Sequence, residues 1–432
     1  MAQGVGSPDQ PAPHPTPNTQ RARPWGKIAL GLGIVVIILI GWLAMGTVTI
    51  NAAPDADRVT ISGKKGKIGA QKHMPGQLKI KIEKDGYLTY DKTVKLGFHG
   101  RTSVNPVLKK LPVASLMSES VTGPIIVTAS GQGAQGISAD RQRIVRSIYQ
   151  KNPSTTVSDQ SSNESPTFIT ENLNLNPLPA ISSLQYPSDQ RYALITAQSG
   201  EIGILDFSRR EVTSQDYAAF GVAGVKSIAL SPDGQEVFYW QLEPSLGKNF
   251  LIRDNIRHEK PDRYFDQPLI DQLGVTKLNF RWSPDAQKIL GLGEKTILID
   301  ILARKASILT TGSDLASGWF SADSKTIIAL TANGQLKTIN IETRQATDHD
   351  ITTSADKVVL GDNNTLFIHT NDNQFISYNF DTKEKVGYLI DASIASNSIA
   401  AIAVDSKNTL VYFVADNKLY TQPLVRGDYI DE

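Results

Sequence analysis

The sequence predicts an all-β protein behind a single N-terminal transmembrane helix, with a small β-sandwich followed by a six- or seven-bladed β-propeller. Three observations predict it. Residues 28–45 form an uncharged apolar run, residues 47–112 alternate apolar and polar positions, and a turn-centred unit then recurs along residues 183–425. Alternation with period two marks half-buried strands. A repeat of roughly 40 residues is the length of one four-stranded blade.

The run from Ile28 to Met45 holds eighteen residues with no charge, amide or hydroxyl. As a helix it would extend about 27 Å, close to the hydrocarbon thickness of a bilayer. We therefore expect a membrane span over residues 27–46. Arg21, Arg23 and Lys27 precede it, whereas Asp55 and Asp57 come before the next base, Arg58. The positive flank stays inside, so the short tail is expected in the cytoplasm and the remainder outside, in a single-pass plasma-membrane protein. Trp25 and Trp42 fall near the two interfaces. A cleaved signal peptide is the alternative, suggested by Ala52-Ala53. Against it stand the length of the apolar run and Pro54, an awkward residue just after a cleavage point. The tail, residues 1–26, is proline-rich with little to bury, a composition expected to stay disordered.

The chain has 432 residues, 40% hydrophobic and 20% charged, with no cysteine. That excludes disulfides, thiolate metal sites and a cysteine nucleophile, so the exported part must rest on its own apolar cores. The net charge of +1 conceals a division. Residues 57–111 carry 13 Lys and Arg against 4 Asp and Glu, net +9, and residues 112–432 carry 28 against 37, net −9.

In residues 47–112, Val48 and Ile50, Val59 and Ile61, then Leu78, Ile80 and Ile82 against Lys79, Lys81 and Glu83, and finally Val94 and Leu96, read as strands. Turn chemistry separates them at Pro54-Asp55, Gly63 with Gly66, Pro75-Gly76 and Asp85-Gly86. The order of strand, Val59-x-Ile61, turn glycines, Gly76-Gln77-Leu78-Lys79-Ile80-Lys81-Ile82, Lys84-Asp85-Gly86-Tyr87 and closing Val107 to Leu111 resembles the PEGA domain family. The quartet that names the family stands here as Pro54-Asp55-Ala56-Asp57, without its glycine. The resemblance implies a small β-sandwich of a surface protein and no catalytic residues. Lys64, Lys65, Lys67 and Lys72 crowd one region, and Lys79, Lys81, Lys92 and Lys95 are expected on outward strand faces. Beside a membrane such a field attracts anionic lipid or wall polymer; alternatively it is a solvated face. Nucleic acid is not expected outside the cell.

Residues 113–182 look like a linker or a degenerate first blade, with Gly131, Gly133, Gly136 and a Ser/Thr run, although Ser138-Ala139-Asp140 echoes the unit that follows. The clearest copies of that unit are Leu230-Ser231-Pro232-Asp233-Gly234 and Trp282-Ser283-Pro284-Asp285-Ala286. Asp189, Asp233, Asp285, Asp323, Asp362 and Asp405 recur at separations of 44, 52, 38, 39 and 43 residues. The S-P-D-G turn is similar to that of TolB-type and WD-repeat-like propellers. Its aspartates are expected to shape turns, since Asp bonds the backbone two residues on and Gly accepts positive φ. Residues 426–432 form a tail.

No nucleophile elbow, zinc-binding helix motif or phosphate loop occurs, so no catalytic residue, metal or cofactor is expected. Asn371-Asp372-Asn373 reads as a hairpin turn rather than a calcium loop. The segment from Glu243 to Gln272 carries Arg253, Arg257, His258, Lys260, Arg263 and Tyr264, a basic-aromatic candidate for a binding loop, with an ordinary exposed loop as the alternative. The leading expectation is a non-catalytic envelope protein binding a protein or glycan. The alternative is a hydrolase or lactonase-like enzyme working in a propeller channel.

Overall fold

The computed structural model describes residues 44–128, 131–150, 167–174, 180–185, 192–206, 217–259, 261–310, 315–361, 364–394, 398–405, 407 and 409–428. The proline-rich tail, Trp25, Trp42 and the apolar run as far as residue 43 lie outside them, as do Asp189, Asp362, Lys260 and residues 429–432. No helix among the described residues is long and apolar enough to cross a membrane. The chain divides into two compact units, Met1–Lys109 and Lys110–Glu432. Both are built from strands.

In the first unit β1 (Gly46–Ile50) pairs antiparallel with β4 (Gly69–His73) and parallel with β7 (Arg101–Val104). A second sheet runs β3 (Lys64–Lys65), β2 (Arg58–Ile61), β5 (Gly76–Glu83), β6 (Tyr90–Leu96). Alternation decides the faces. Leu78, Ile80 and Ile82 are buried, whereas Lys79 is exposed and Lys81 half-buried. Val48, Ile50 and Val104 of the first sheet are buried as well. The sheets meet where Leu96 closes on Gly46, at which a Cβ would lie 2.9 Å from the leucine Cδ1. Lys92 departs from the expected outward face. Its register partner is buried Ile80, and its stem is half-buried with the ammonium 6.0 Å from the Tyr90 ring centre.

Among the described residues the second unit holds seven antiparallel sheets. The first is β9 (Val121–Val127), β10 (Gly133–Ser138), β11 (Arg143–Tyr149) and β12 (Phe168–Asn174). The second is β13 (Ile181–Gln185), β14 (Tyr192–Ala197), β15 (Ile202–Asp206) and β16 (Tyr217–Ala219). The third is β17 (Val225–Leu230), β18 (Glu236–Glu243), β19 (Lys248–Asn255) and β20 (Asp262–Phe265), followed by helix α1 (Gln267–Leu273). The fourth is β21 (Leu278–Trp282), β22 (Lys288–Gly293), β23 (Thr296–Asp300) and β24 (Lys305–Thr310). The fifth is β25 (Leu315–Phe320), β26 (Thr326–Thr331), β27 (Gln335–Asn340) and β28 (Ala346–Thr352). The sixth is β29 (Val358–Leu360), β30 (Thr365–His369), β31 (Phe375–Asn379) and β32 (Lys385–Leu389), extended by β36 (Val425–Arg426). The seventh, β33 (Ile399–Val404), β34 (Leu410–Ala415) and β35 (Lys418–Pro423), takes its fourth strand from the start of the unit, β8 (Ser115–Glu119). Residues 113–182 therefore include a complete sheet and the strand that completes another.

Apolar clusters join each sheet to the next. Phe238 of the third packs edge-on against Phe280 of the fourth at 5.2 Å between ring centres. The Trp282 indole donates to the Ala229 carbonyl at 3.1 Å across the same seam. Met117, Val121 and Ala134 pack with Ala401, Tyr412 and Leu419, which couples the seventh sheet to the first.

The recurrent turn is built as the sequence implies. The Ser231 hydroxyl donates to Asp233 Oδ1 at 2.6 Å, and the same oxygen accepts the Gln235 N–H at 3.1 Å. Asp285 and Asp323 repeat this with Ser283 and Ser321. Asp140 does so with Ser138 and the Gln142 N–H, and these bonds hold its carboxyl down at about 2. Asp405 plays a different part, occupying the serine position instead. Its Oδ1 accepts the Leu410 N–H at 2.8 Å, as Ser231 Oγ accepts that of Glu236 at 2.9 Å. Asp372 bonds the Thr370 hydroxyl in a hairpin turn, with Asn373 at φ +62°.

Leu419 is fully buried where β35 meets β8, so Leu419→Ala should lower unfolding free energy by about 2–5 kcal/mol in denaturant titrations. Leu116→Ala on the exposed side of β8 should stay within about 0.5 kcal/mol of the parent. Equal effects would mean that β8 is not packed as described.

Candidate functional site

The basic-aromatic segment is strand and hairpin, with most of its charge already used. Arg253 on β19 forms a two-pronged ion pair with Glu236, its Nη2 2.7 Å from Oε1. Arg263 on β20 pairs with Glu243 at 2.6 Å and lies 4.3 Å over the Phe250 ring. Tyr264 is a core residue whose hydroxyl donates to the Ile301 carbonyl at 2.7 Å, tying the third sheet to the fourth. The Arg304 guanidinium covers its ring at 4.6 Å. His258 sits at the following turn with Nδ1 against Asp254 Oδ2, and Arg257 is exposed. The segment reads as a loop in the sequence, whereas Arg253 and Arg263 stand on strands and pair with Glu236 and Glu243.

The lysines of the first unit also divide. Register places Lys65 and Lys81 on either side of Thr60, on the outer face of one sheet with Lys79. Lys72 lies on the other sheet, opposite Thr47. Asp91 pairs with Lys79 at 3.2 Å and Glu83 with Lys81 at 2.6 Å. Lys64 and Lys67 are exposed at the neighbouring edge. The six do not make one surface.

A different cation stands out in the second unit. The first strands of the seven sheets, β9, β13, β17, β21, β25, β29 and β33, carry two charged residues, Lys226 and Arg281. Lys226 donates to Asn249 Oδ1 at 3.0 Å and approaches the Trp240 ring at 5.6 Å. Arg281 has no hydrogen bond or ion pair among the described residues. Its guanidinium lies 5.4 Å from the ring centre of Trp319, on the first strand of the next sheet. Desolvation lowers its pKa while the carboxylate of Asp356, in the short 3-10 turn Ala355–Lys357, acts in the opposite sense. The side chain is nevertheless exposed. A guanidinium laid against an indole keeps its in-plane donors free for a planar anion such as a carboxylate. Sequence reading missed it because nothing local distinguishes Phe280-Arg281-Trp282 from any strand with one polar position.

A groove of about 670 Å³ follows β31 and β32, lined by Phe375, Tyr388, Leu389, Asp391 and Gly427. Asp391 already accepts N–H bonds from Ala114 at 2.6 Å and Ser393 at 2.8 Å. Burial would raise its carboxyl, and these bonds hold it below the usual range instead. Among the described residues no group of three or more His, Asp or Glu is placed to hold a metal ion.

Residues 45–112 match the PEGA domain. The match covers the first unit's two sheets and confirms that part of the expectation from its strand order. No curated protein matches the chain. The glycine-free quartet Pro54-Asp55-Ala56-Asp57 lies between β1 and β2, where the Asp57 carboxylate accepts the Asp85 N–H at 2.9 Å and so fixes the corner that precedes Tyr87.

His369, at the end of β30, is fully buried and neither ring nitrogen has a hydrogen-bond partner among the described residues. Desolvation and, secondarily, Lys357 push its pKa down to about 4 from the ordinary 6.5. A folded-state value below the unfolded one gives stability that is complete above pH 6.5 and falls as pH drops toward 4. The loss from this group is on the order of 3 kcal/mol. His369→Leu should flatten that part of the stability profile in denaturant titrations between pH 7 and 4. A profile parallel to the parent's would contradict the assignment.

Proposed function

We propose that this is a membrane-anchored cell-envelope protein in which the PEGA domain is a spacer and the second unit is a β-propeller that binds a protein or glycan. One observation carries the propeller reading. The last sheet is completed by β8, the first strand of the same unit, which in a propeller is the strand that closes the ring. In that reading the fold is a seven-bladed disc whose first strands line a central space. A closed disc has no free sheet edge between blades and presents loops and channel residues on a rigid frame, which suits recognition. The anchor rests on the apolar run at residues 28–45, and the outward orientation on the basic flank before it. Anionic lipid or wall polymer is the partner we assign to the basic first unit.

Within the disc, Arg281 over Trp319 is the group best fitted to engage an anionic moiety of the ligand. Cross-linking in intact cells followed by capture of the full chain should recover a protein or glycan species that disappears when residues 183–425 are removed. Arg281→Ala should reduce its yield several-fold, and Arg281→Lys should not restore it, because an ammonium lacks the planar donor fork. The same species recovered from all four proteins would overturn the reading.

A further inference from the structure

The end of the PEGA sandwich at which β1 begins has a composition unlike the rest of the domain. Gly46 pairs with His73 and Thr47 with Arg101, so the last residue of β4 and the first of β7 lie at this end. Gly76 pairs with Leu96, and Leu96 reaches Gly46, which brings the start of β5 and the finish of β6 to the same level. The turn from Gly97 to Gly100 lies against the first strand, with the Thr47 N–H donating to the Gly100 carbonyl at 2.8 Å. Two large apolar side chains project there. Phe98 is 77% exposed at the tip of that turn, and Met74 is 55% exposed in the β4–β5 turn.

The charges are sorted along the same axis. Lys72, Lys95 and Arg101 are exposed within one residue of this end. The carboxylates lie elsewhere. Glu83 pairs with Arg58 at the far end of β5, where Asp57 and Asp85 are joined by a hydrogen bond and Asp55 precedes them. Asp91 lies toward that far end too, near the start of β6 opposite Lys81. The apolar run of residues 28–45 stops at the residue before β1, so in the anchored reading the sequence leaves no spacer between the membrane and this end.

We propose that this end docks on an anionic bilayer surface, Phe98 and Met74 entering the headgroup region while Lys72, Lys95 and Arg101 meet the phosphates. The inference rests on the anchored reading and adds to it an orientation and a lipid contact. An exposed aromatic tip ringed by bases and free of acids has the chemistry of an interfacial anchor. With no spacer, that surface is also the first one available to the domain.

The chain lacks cysteine, so one introduced thiol gives one label. The test uses the full chain in vesicles of phosphatidylglycerol and phosphatidylcholine, carrying Phe98→Cys or, at the opposite end, Asp55→Cys, each labelled with NBD and read with doxyl-lipid quenchers. Both positions are exposed, so neither change removes core contacts. Carbonate extraction reports separately whether the chain is embedded. We expect retention, several-fold stronger quenching at 98 than at 55, and loss of most of that difference when Lys72, Lys95 and Arg101 are all changed to Gln. Retention with equal quenching at the two positions would overturn the docking and leave the anchor standing. Release into carbonate without quenching would overturn both.

Discussion

The pairing of β8 with β35 is the constraint on which the second unit depends. The two strands are brought together from ends of the unit about 300 residues apart in sequence, Lys418 lying 3.4 Å from Glu119 with a separation of 299. Closing so long a stretch costs chain entropy that grows only slowly with length, a few kcal/mol in total. A short strand ladder and one apolar cluster can offset a cost of that size. The cluster is substantial, since Met117 and Val121 from the start of the unit pack against Ala401, Val414 and Leu419 from its end. Without the pairing, β35 would present an unpaired edge, and the first sheet would have an unpaired apolar face.

That arrangement explains which parts of the fold could be read from the sequence and which could not. Turns are local, so Ser231, Asp233 and Gly234 announce one wherever they occur, and the structure builds it with the bonds their chemistry implies. Asp405 shows the limit of counting by residue type. Aspartate and serine can both accept the N–H that closes this turn, so the spacing alone aligned it two positions away from its structural equivalent. Residues 113–182 read as a linker or a degenerate first blade, because their glycines and serines suggest loop while Ser138-Ala139-Asp140 echoes the repeat. The strand β10 is buried throughout, and its glycines serve close approach: a Cβ on Gly133 would lie 2.1 Å from the Ser147 carbonyl oxygen, and one on Gly136 only 2.8 Å from the Ile125 side chain. Close packing of backbone against backbone leaves a composition that resembles a loop.

The same contrast governs the functional residues. Arg253 and Arg263 read as free cations in one dimension and become cross-strand ion pairs once Glu236 and Glu243 are placed beside them. Arg281 reads as one polar residue in a strand and becomes conspicuous only when the first strands of seven sheets are compared, because, unlike Lys226, its side chain has no hydrogen bond or ion pair among the described residues. Lys92 illustrates the reverse, a lysine expected on an outer face that register turns toward Ile80. Pairing and register set each outcome, and both are properties of residues far apart in sequence.

The account stands or falls with the first strand of the second unit completing the last sheet in the register described. Ser115 faces Thr421 across that ladder, and the chain has no native thiols to compete. The most direct measurement is oxidation of the double variant Ser115→Cys, Thr421→Cys, followed by non-reducing mass analysis and a thermal melt. The account predicts a near-quantitative intramolecular disulfide and a raised melting temperature that reduction abolishes. Free thiols after oxidation of the folded protein, or a bridge that forms only between molecules, would contradict it.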